Sequence, residues 1–232
     1  NSKEGEVMHF RELMNSKDRL LVVSLPENSL EYARAAVENG ADAIKLHINV
    51  KHRVTGKAHV TWTNVRETVK SIHSTLGCCM GIVPGAEAMA SEDELREMGE
   101  FGLSFFDVYV DYAPPYVLKN DLCKMLALNH TYCRSMASHL RRLGADAVEI
   151  SIINPKDYGK DLSLEDLLKY LEVLELSGLP SFIPTQKRIT VDDADRILSL
   201  GFKGLIIGPI VTGTDIESFS RTVREFSKIA RE

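Results

Sequence analysis

Eight short apolar segments, each followed by an amphipathic stretch, alternate along the 232-residue chain, and this alternation restricts the fold more than any other property. The strand candidates are "RLLVVSLP", "DAIKLHINV", "CCMGIVPG", "SFFDVYVDY", "KMLALNH", "DAVEISIIN", "PSFIPTQ" and "KGLIIGPIV". Helical periodicity fills the intervals, and most of the helical stretches end in the glycine expected just beyond a helix. Capping boxes mark the helix starts: Asn28 with Glu31, Ser91 with Glu94, Ser163 with Asp166, Thr190 with Asp193 and Thr214 with Glu217. Eight such units in one chain of this length predict a single (β/α)8 TIM barrel domain over residues 1–232. "EVMHFRELM" is expected to add an N-terminal helix that closes one end. The fourth unit is the least regular, because the prolines of "APPYVLKNDLC" leave room for only a short helix.

An open doubly wound sheet is the alternative, and the polar rows inside the strands decide against it. Such a sheet buries both faces under helices and calls for nearly continuous aliphatic strands. Here Lys45, His47 and Asn49 alternate with Ile44, Leu46, Ile48 and Val50. The pattern recurs as Asp107, Tyr109 and Asp111 against Phe106, Val108 and Val110, and as Glu149 and Ser151 against Val148, Ile150 and Ile152. Strand side chains alternate with period two, so in a closed barrel the aliphatic rows face the helices and the polar rows face the lumen. Alternate strands share side-chain layers, which puts Lys45, Asp107 and Glu149 in one layer with His47 and Tyr109 nearer the mouth. A buried lysine among carboxylates must be paired, and that pairing is also how a site perturbs proton affinities.

Composition narrows the function. The formal charge of −5 argues against nucleic acid as a partner. Apolar runs such as "GLIIGPIVTG" fall well short of the roughly 20 residues that a membrane span needs. No signal-peptide pattern opens the sequence, so a cytoplasmic location is expected. Cys78, Cys79, Cys123 and Cys133 lack the spacing of a metal or redox motif and are expected to be reduced, packing thiols. At the C-terminal ends of the strands, where barrel enzymes keep their sites, further polar groups collect: Glu87, Asn129, His130, Asn154, Gln186, Lys187 and Arg188. Lys51, His52, Arg53 and Lys57 make the rim after the second strand locally basic.

Toward the end of the chain, the stretch "FIPTQKRITVDDADRILSLGFKGLIIGPIVTGTDIESF" resembles the phosphate-binding (βα)8-barrel superfamily of histidine and tryptophan biosynthesis barrels and sugar-phosphate epimerases. Pro184, Thr185, Thr190, Gly201, Gly204, Gly208, Thr212, Gly213 and Thr214 fit its outline. The resemblance implies a phosphate held by backbone N–H groups after the seventh and eighth strands. Gln186 and Lys187 stand where relatives carry glycines, and Pro209 removes one N–H donor. The phosphate is then expected at Lys187, Arg188, Gly208, Thr212, Gly213 and Thr214. "GADAIKLHINV" is also similar to the second strand of ribulose-phosphate epimerases, with His47 in place and Asn49 where the acid would stand.

The expectation from these readings is an enzyme that moves a proton beside the carbonyl of a small phosphorylated metabolite, as an isomerase or epimerase does. Lys45, His47, Asp107 and Glu149 are the expected catalytic groups, and Asn49, Tyr109, Asp111, Asn129 and Ser151 the substrate contacts. No cofactor and no metal is expected, although His47, Asp107, Asp111 and His130 are the side chains from which a metal site could be drawn. A Schiff-base aldolase using Lys45 is the alternative, and a non-catalytic barrel that binds a phosphometabolite is a second. Assembly into a homo-oligomer is compatible with the sequence.

Overall fold

A computed structural model describes residues 7–51 and 60–230. The strands β1 (Leu20–Ser24), β2 (Ala43–His47), β3 (Cys79–Val83), β4 (Phe105–Tyr109), β5 (Cys123–Leu128), β6 (Ala147–Ile150), β7 (Ser181–Pro184) and β8 (Gly204–Ile207) pair in sequence order, all parallel. Pairing of β8 with β1 closes the barrel. Around it run α2 (Leu30–Glu38), α3 (Trp62–Leu76), α4 (Glu92–Glu100), α5 (Arg134–Leu143), α6 (Leu164–Ser177), α7 (Val191–Ser199) and α9 (Ile216–Ile229), with α1 (Phe10–Ser16) ahead of the first strand. The fourth unit has only a 3₁₀ turn, Pro115–Lys119, as its prolines dictate. The apolar run expected to continue β8 instead turns into one helical turn, α8 (Pro209–Thr212), because Pro209 is suited to a helix start.

The alternation read from the strands is observed. Ile44, Leu46, Ile48, Phe106, Val108, Val148, Ile150 and Ile152 belong to the buried shell between strands and helices. A second cluster fills the lower lumen, among it Val22, Ala43, Cys79, Phe105, Met125 and Phe182. Helix α1 completes this cluster from below. The Phe10 ring stacks on Phe105 at 4.1 Å between centroids and lies 5.7 Å from Phe182. Arg11 holds the helix there with two bonds to the Asp146 carboxylate and others to the carbonyls of Asp121 and Leu122. The helix starts later than expected, since His9 caps it and Glu12 closes the capping box.

One glycine makes the lower layer possible. A Cβ on Gly81 would sit 2.2 Å from the Phe105 ring, so the bare position lets the aromatic ring cross the lumen. Capping boxes at Ser91, Ser163 and Thr190 form as read. Two caps fall one residue later than expected: Ser29 caps α2 and Asp215 caps α9. Asn28 is displaced from capping by a task across the barrel wall, where its amide accepts from the His47 N–H at 3.1 Å and donates to the His47 carbonyl at 2.6 Å. All four cysteines are free thiols, and Cys133 departs from the packing expectation because it lies exposed at the start of α5.

Candidate functional site

Above the aromatic floor the lumen turns polar. Lys45, Asp107 and Glu149 project inward from β2, β4 and β6, and they meet: the Lys45 ammonium lies 2.5 Å from Asp107 Oδ2 and 2.6 Å from Glu149 Oε2. All three are at most 6% exposed. They form the bottom of a cavity of about 900 Å³ that is also lined by residues of the loops after the strands.

Two carboxylates and one ammonium at this burial cannot all keep their ordinary proton affinities. Burial pulls the Lys45 ammonium toward neutrality, but the charges and hydrogen bonds of Asp107 and Glu149 outweigh it, and its pKa rises above 10.5. Burial, together with the Glu149 charge, lifts Asp107 well above the usual carboxylate range. Burial works against Glu149 too, yet the Lys45 charge and hydrogen bonding from Asp107, Lys45 and Ser151 hold it below 4.5. The cluster therefore drives its two carboxyls apart, Glu149 toward the ionised form beside the lysinium and Asp107 toward the protonated form. Asp107 Oδ1 is buried with no hydrogen-bonding partner among the described residues, a situation a neutral carboxyl tolerates far better than a carboxylate.

A hydrogen-bonded column rises from this cluster. Tyr109 Oη and Ser151 Oγ are 2.6 Å apart, and Gln186 Nε2 donates to Ser151 Oγ at 2.8 Å and to Tyr158 Oη at 2.6 Å. Gln186 Oε1 accepts the Ile153 N–H at 3.2 Å, so the amide is fixed at both ends. On the opposite wall, His47 Nε2 lies 3.2 Å from Ser24 Oγ, and both residues line the cavity. Lys51 and Glu87 are charged groups of the mouth, beside Tyr112.

Several expected site residues are elsewhere. Asn49 lies past the end of β2 with φ 54°, off the strand face, and donates to the Pro84 carbonyl at 3.3 Å. Val50, grouped with the helix-facing row, lines the cavity instead, since the strand ends at His47 and alternation stops there. Asp111 and Asn129 bond each other at 2.9 Å outside the cavity lining, beyond their strands. The expected phosphate cradle is also redistributed. Lys187 is buried beside Asp166, 3.2 Å away, at the start of α6, and Arg188 pairs with Asp161. Thr212 is fully buried with its hydroxyl on the Gly213 carbonyl, and Thr214 is exposed with its carbonyl accepting from Tyr32. Gly213 ends α8 away from the cavity lining. Only Gly208 of that set lines the cavity, and its N–H is bonded to Thr185 Oγ1 at 2.9 Å.

Strand parity accounts for this redistribution. Phe182 and Pro184 face inward, so Gln186 follows them into the lumen and Lys187 must turn outward. The same parity on β1 runs from Leu20 and Val22 to Ser24. Gln186 and Ser24 were thus recoverable as site residues from alternation alone, whereas Tyr158 comes from a loop with no such signal. The four side chains from which a metal site could be drawn do not come together, and the described residues contain no cluster of three or more metal ligands. His52, Arg53 and Lys57 lie outside the described residues.

Fold and site together define a (β/α)8 barrel with a buried, charged cluster at the base of an open mouth. Solved structures of the same architecture include a thiamine phosphate pyrophosphorylase from Pyrococcus furiosus, 16% identical, with TM-score 0.65 over 96% of this chain and 98% of the other. A ligand-free tryptophan synthase from M. tuberculosis is 14% identical, with TM-score 0.73 over 95% of this chain and 98% of the other. A protein from Aquifex aeolicus VF5 is 17% identical, with TM-score 0.73 over 98% of this chain and all of the other. At these identities the likeness is one of fold. No family model and no curated protein matches the sequence. Among the described residues no helix is long and apolar enough to cross a membrane.

Proposed function

We propose that this chain is an enzyme that catalyses proton transfer beside the carbonyl group of a small, anionic, phosphorylated sugar or related carbonyl compound. The observation that carries the proposal is the Lys45–Asp107–Glu149 cluster at the base of an open cavity. Desolvated groups of opposite charge with divergent proton affinities suit acid–base work more than structural support. Glu149, ionised, takes the proton from the carbon next to the carbonyl. Lys45, protonated, stabilises the negative charge that develops on the carbonyl oxygen, and the proton returns to carbon or oxygen to complete an isomerisation or epimerisation. Tyr109, Ser151 and Gln186 hold the substrate hydroxyls, and Lys51 meets the anionic end at the mouth. The raised proton affinity of Lys45 favours this role over imine formation, which needs a neutral amine.

Dihydroxyacetone phosphate, ribulose 5-phosphate and their unphosphorylated counterparts, incubated with the protein in D2O and followed by proton NMR, provide the test. Enzyme-dependent loss of the signal next to the carbonyl is expected, reduced about 100-fold or more in Lys45→Met and Glu149→Gln. Borohydride is expected to leave Lys45 unmodified in the presence of the same compounds. No exchange with any of them, or exchange that survives both substitutions, defeats the proposal. A preference for the unphosphorylated compounds would remove the phosphate from it.

A further inference from the structure

Six large apolar side chains stand exposed among the described residues, and four of them lie on two adjacent helices: Met136 and Leu143 on α5, and Leu164 and Leu168 on α6. Leu164 and Leu168 are 80% and 66% exposed and one turn apart, so they form a continuous stripe. Single exposed apolar residues are ordinary, but four of them on one helix pair make a patch of the kind that partners cover.

The charges on the same two helices favour one kind of partner. Helix α5 carries Arg134, Arg141 and Arg142 and no carboxylate, whereas α6 presents Glu165, Glu172 and Glu175 against the single cation Lys169, its buried Asp166 being paired with Lys187. An acidic partner would be repelled by α6 and a basic one by α5. A second copy of this chain, turned by a twofold rotation, presents α6 to α5 and α5 to α6, and satisfies both.

We propose that the α5–α6 face is the interface of a twofold-symmetric dimer. The two helices run in the same direction on the barrel, so the rotation lays α5 of one copy antiparallel along α6 of the other. Arg142 and Leu143, at the end of α5, then meet Leu164, Glu165 and Leu168 at the start of the second copy's α6. Within one chain Arg134 pairs with Glu172 and Glu165 with Lys169, but these pairs are exposed and exchange partners at little cost.

Sedimentation equilibrium of the whole protein from about 1 to about 100 μM, the range where an interface of modest size associates, tests the proposal. The expected mass is twice the 25.9 kDa of one chain. Leu164→Glu combined with Leu168→Glu is expected to give a monomer with an unchanged circular dichroism spectrum, since both side chains are exposed. Arg142→Glu is expected to weaken the dimer about tenfold, as loss of one interfacial charge pair does, and Glu165→Arg in the same chain to restore it. A chain that stays monomeric throughout, a dimer unmoved by the two leucine substitutions, or a charge swap that fails to restore the Arg142→Glu loss overturns the proposal.

Discussion

Gln186 and Ser151 are joined side chain to side chain at 2.8 Å, across the gap between the ends of β7 and β6. Because the amide donates to Ser151 Oγ, the serine proton is left for Glu149, and the amide oxygen meanwhile satisfies the buried Ile153 N–H. Replacing Gln186 with Leu strands several of these groups at once and should cost about 1–3 kcal/mol, the penalty of unsatisfied buried polar atoms. Urea unfolding of the two proteins measures this directly. An unchanged midpoint would mean that the column above the cluster is not cooperative with the fold.

The two carboxylates on Lys45 should prove interchangeable in part. Asp107→Asn replaces the carboxyl that burial pushes toward its neutral form and should change stability by less than about 1.5 kcal/mol, as a near-isosteric replacement does. Glu149→Gln costs more, but Asp107 can then ionise and take over the pairing. With both replaced, Lys45 is buried without a counter-charge, a state that costs about 3–5 kcal/mol. The double variant should therefore lose more than the two single losses combined, and a double-mutant cycle in urea reads that excess.

Acid titration should separate the same two residues by sign. The Glu149 carboxyl is held below 4.5 in the fold, so its stabilisation is complete above that pH and is lost as pH falls through the lowered value. Asp107 is raised well above 3.8, so folding favours its protonated form and its contribution declines as pH climbs from 3.8 toward the raised value. Relative to the parent protein, Asp107→Asn should gain stability with rising pH across that interval. Glu149→Gln should lose its relative stability only over the pH range below 4.5. Denaturation from about pH 3 to about pH 8 covers both windows, and parallel pH slopes for the two variants would contradict the assigned charge states.

Phe10 anchors α1 by filling space between Phe105 and Phe182. Phe10→Ala should destabilise the protein by about 3–5 kcal/mol, the cost of emptying a buried aromatic site. Equilibrium unfolding gives the value, and hydrogen exchange should show the added opening concentrated in α1 and the lower strand ends.

Gly81→Ala places a methyl group where the Phe105 ring already lies. A loss of about 1–3 kcal/mol is expected from overpacking. Adding Phe105→Leu should recover part of it, because the smaller side chain vacates the contested volume. If the second substitution makes matters worse, the collision is not the cause.

The barrel and the layer that unites Lys45, Asp107 and Glu149 were legible because period-two alternation and the spacing of eight units are strong, local signals. The lower aromatic layer was not, since nothing in "CCMGIVPG" announces that Gly81 is bare to admit a ring from the next strand. Parity also held further than the strands themselves: it carries Gln186 and Ser24 into the lumen. It fails at Asn49, Asp111 and Asn129, where the backbone leaves the extended form and the chain direction no longer follows from the sequence pattern. Lys187 lies off the cavity lining for another reason. Its charge suits an anion, but the capping box at Ser163 places Asp166 where it satisfies that charge inside the wall.

Among the described residues, the aromatic stopper of Phe10, Phe105 and Phe182 seals the lumen beneath the cluster, so the cavity that reaches Lys45 opens toward the loops after the strands, beside Tyr158 and Gln186. Under the proposed function, substrate arrival and product departure share that side, and the residence time of a product becomes a property of the rim rather than of the charged base.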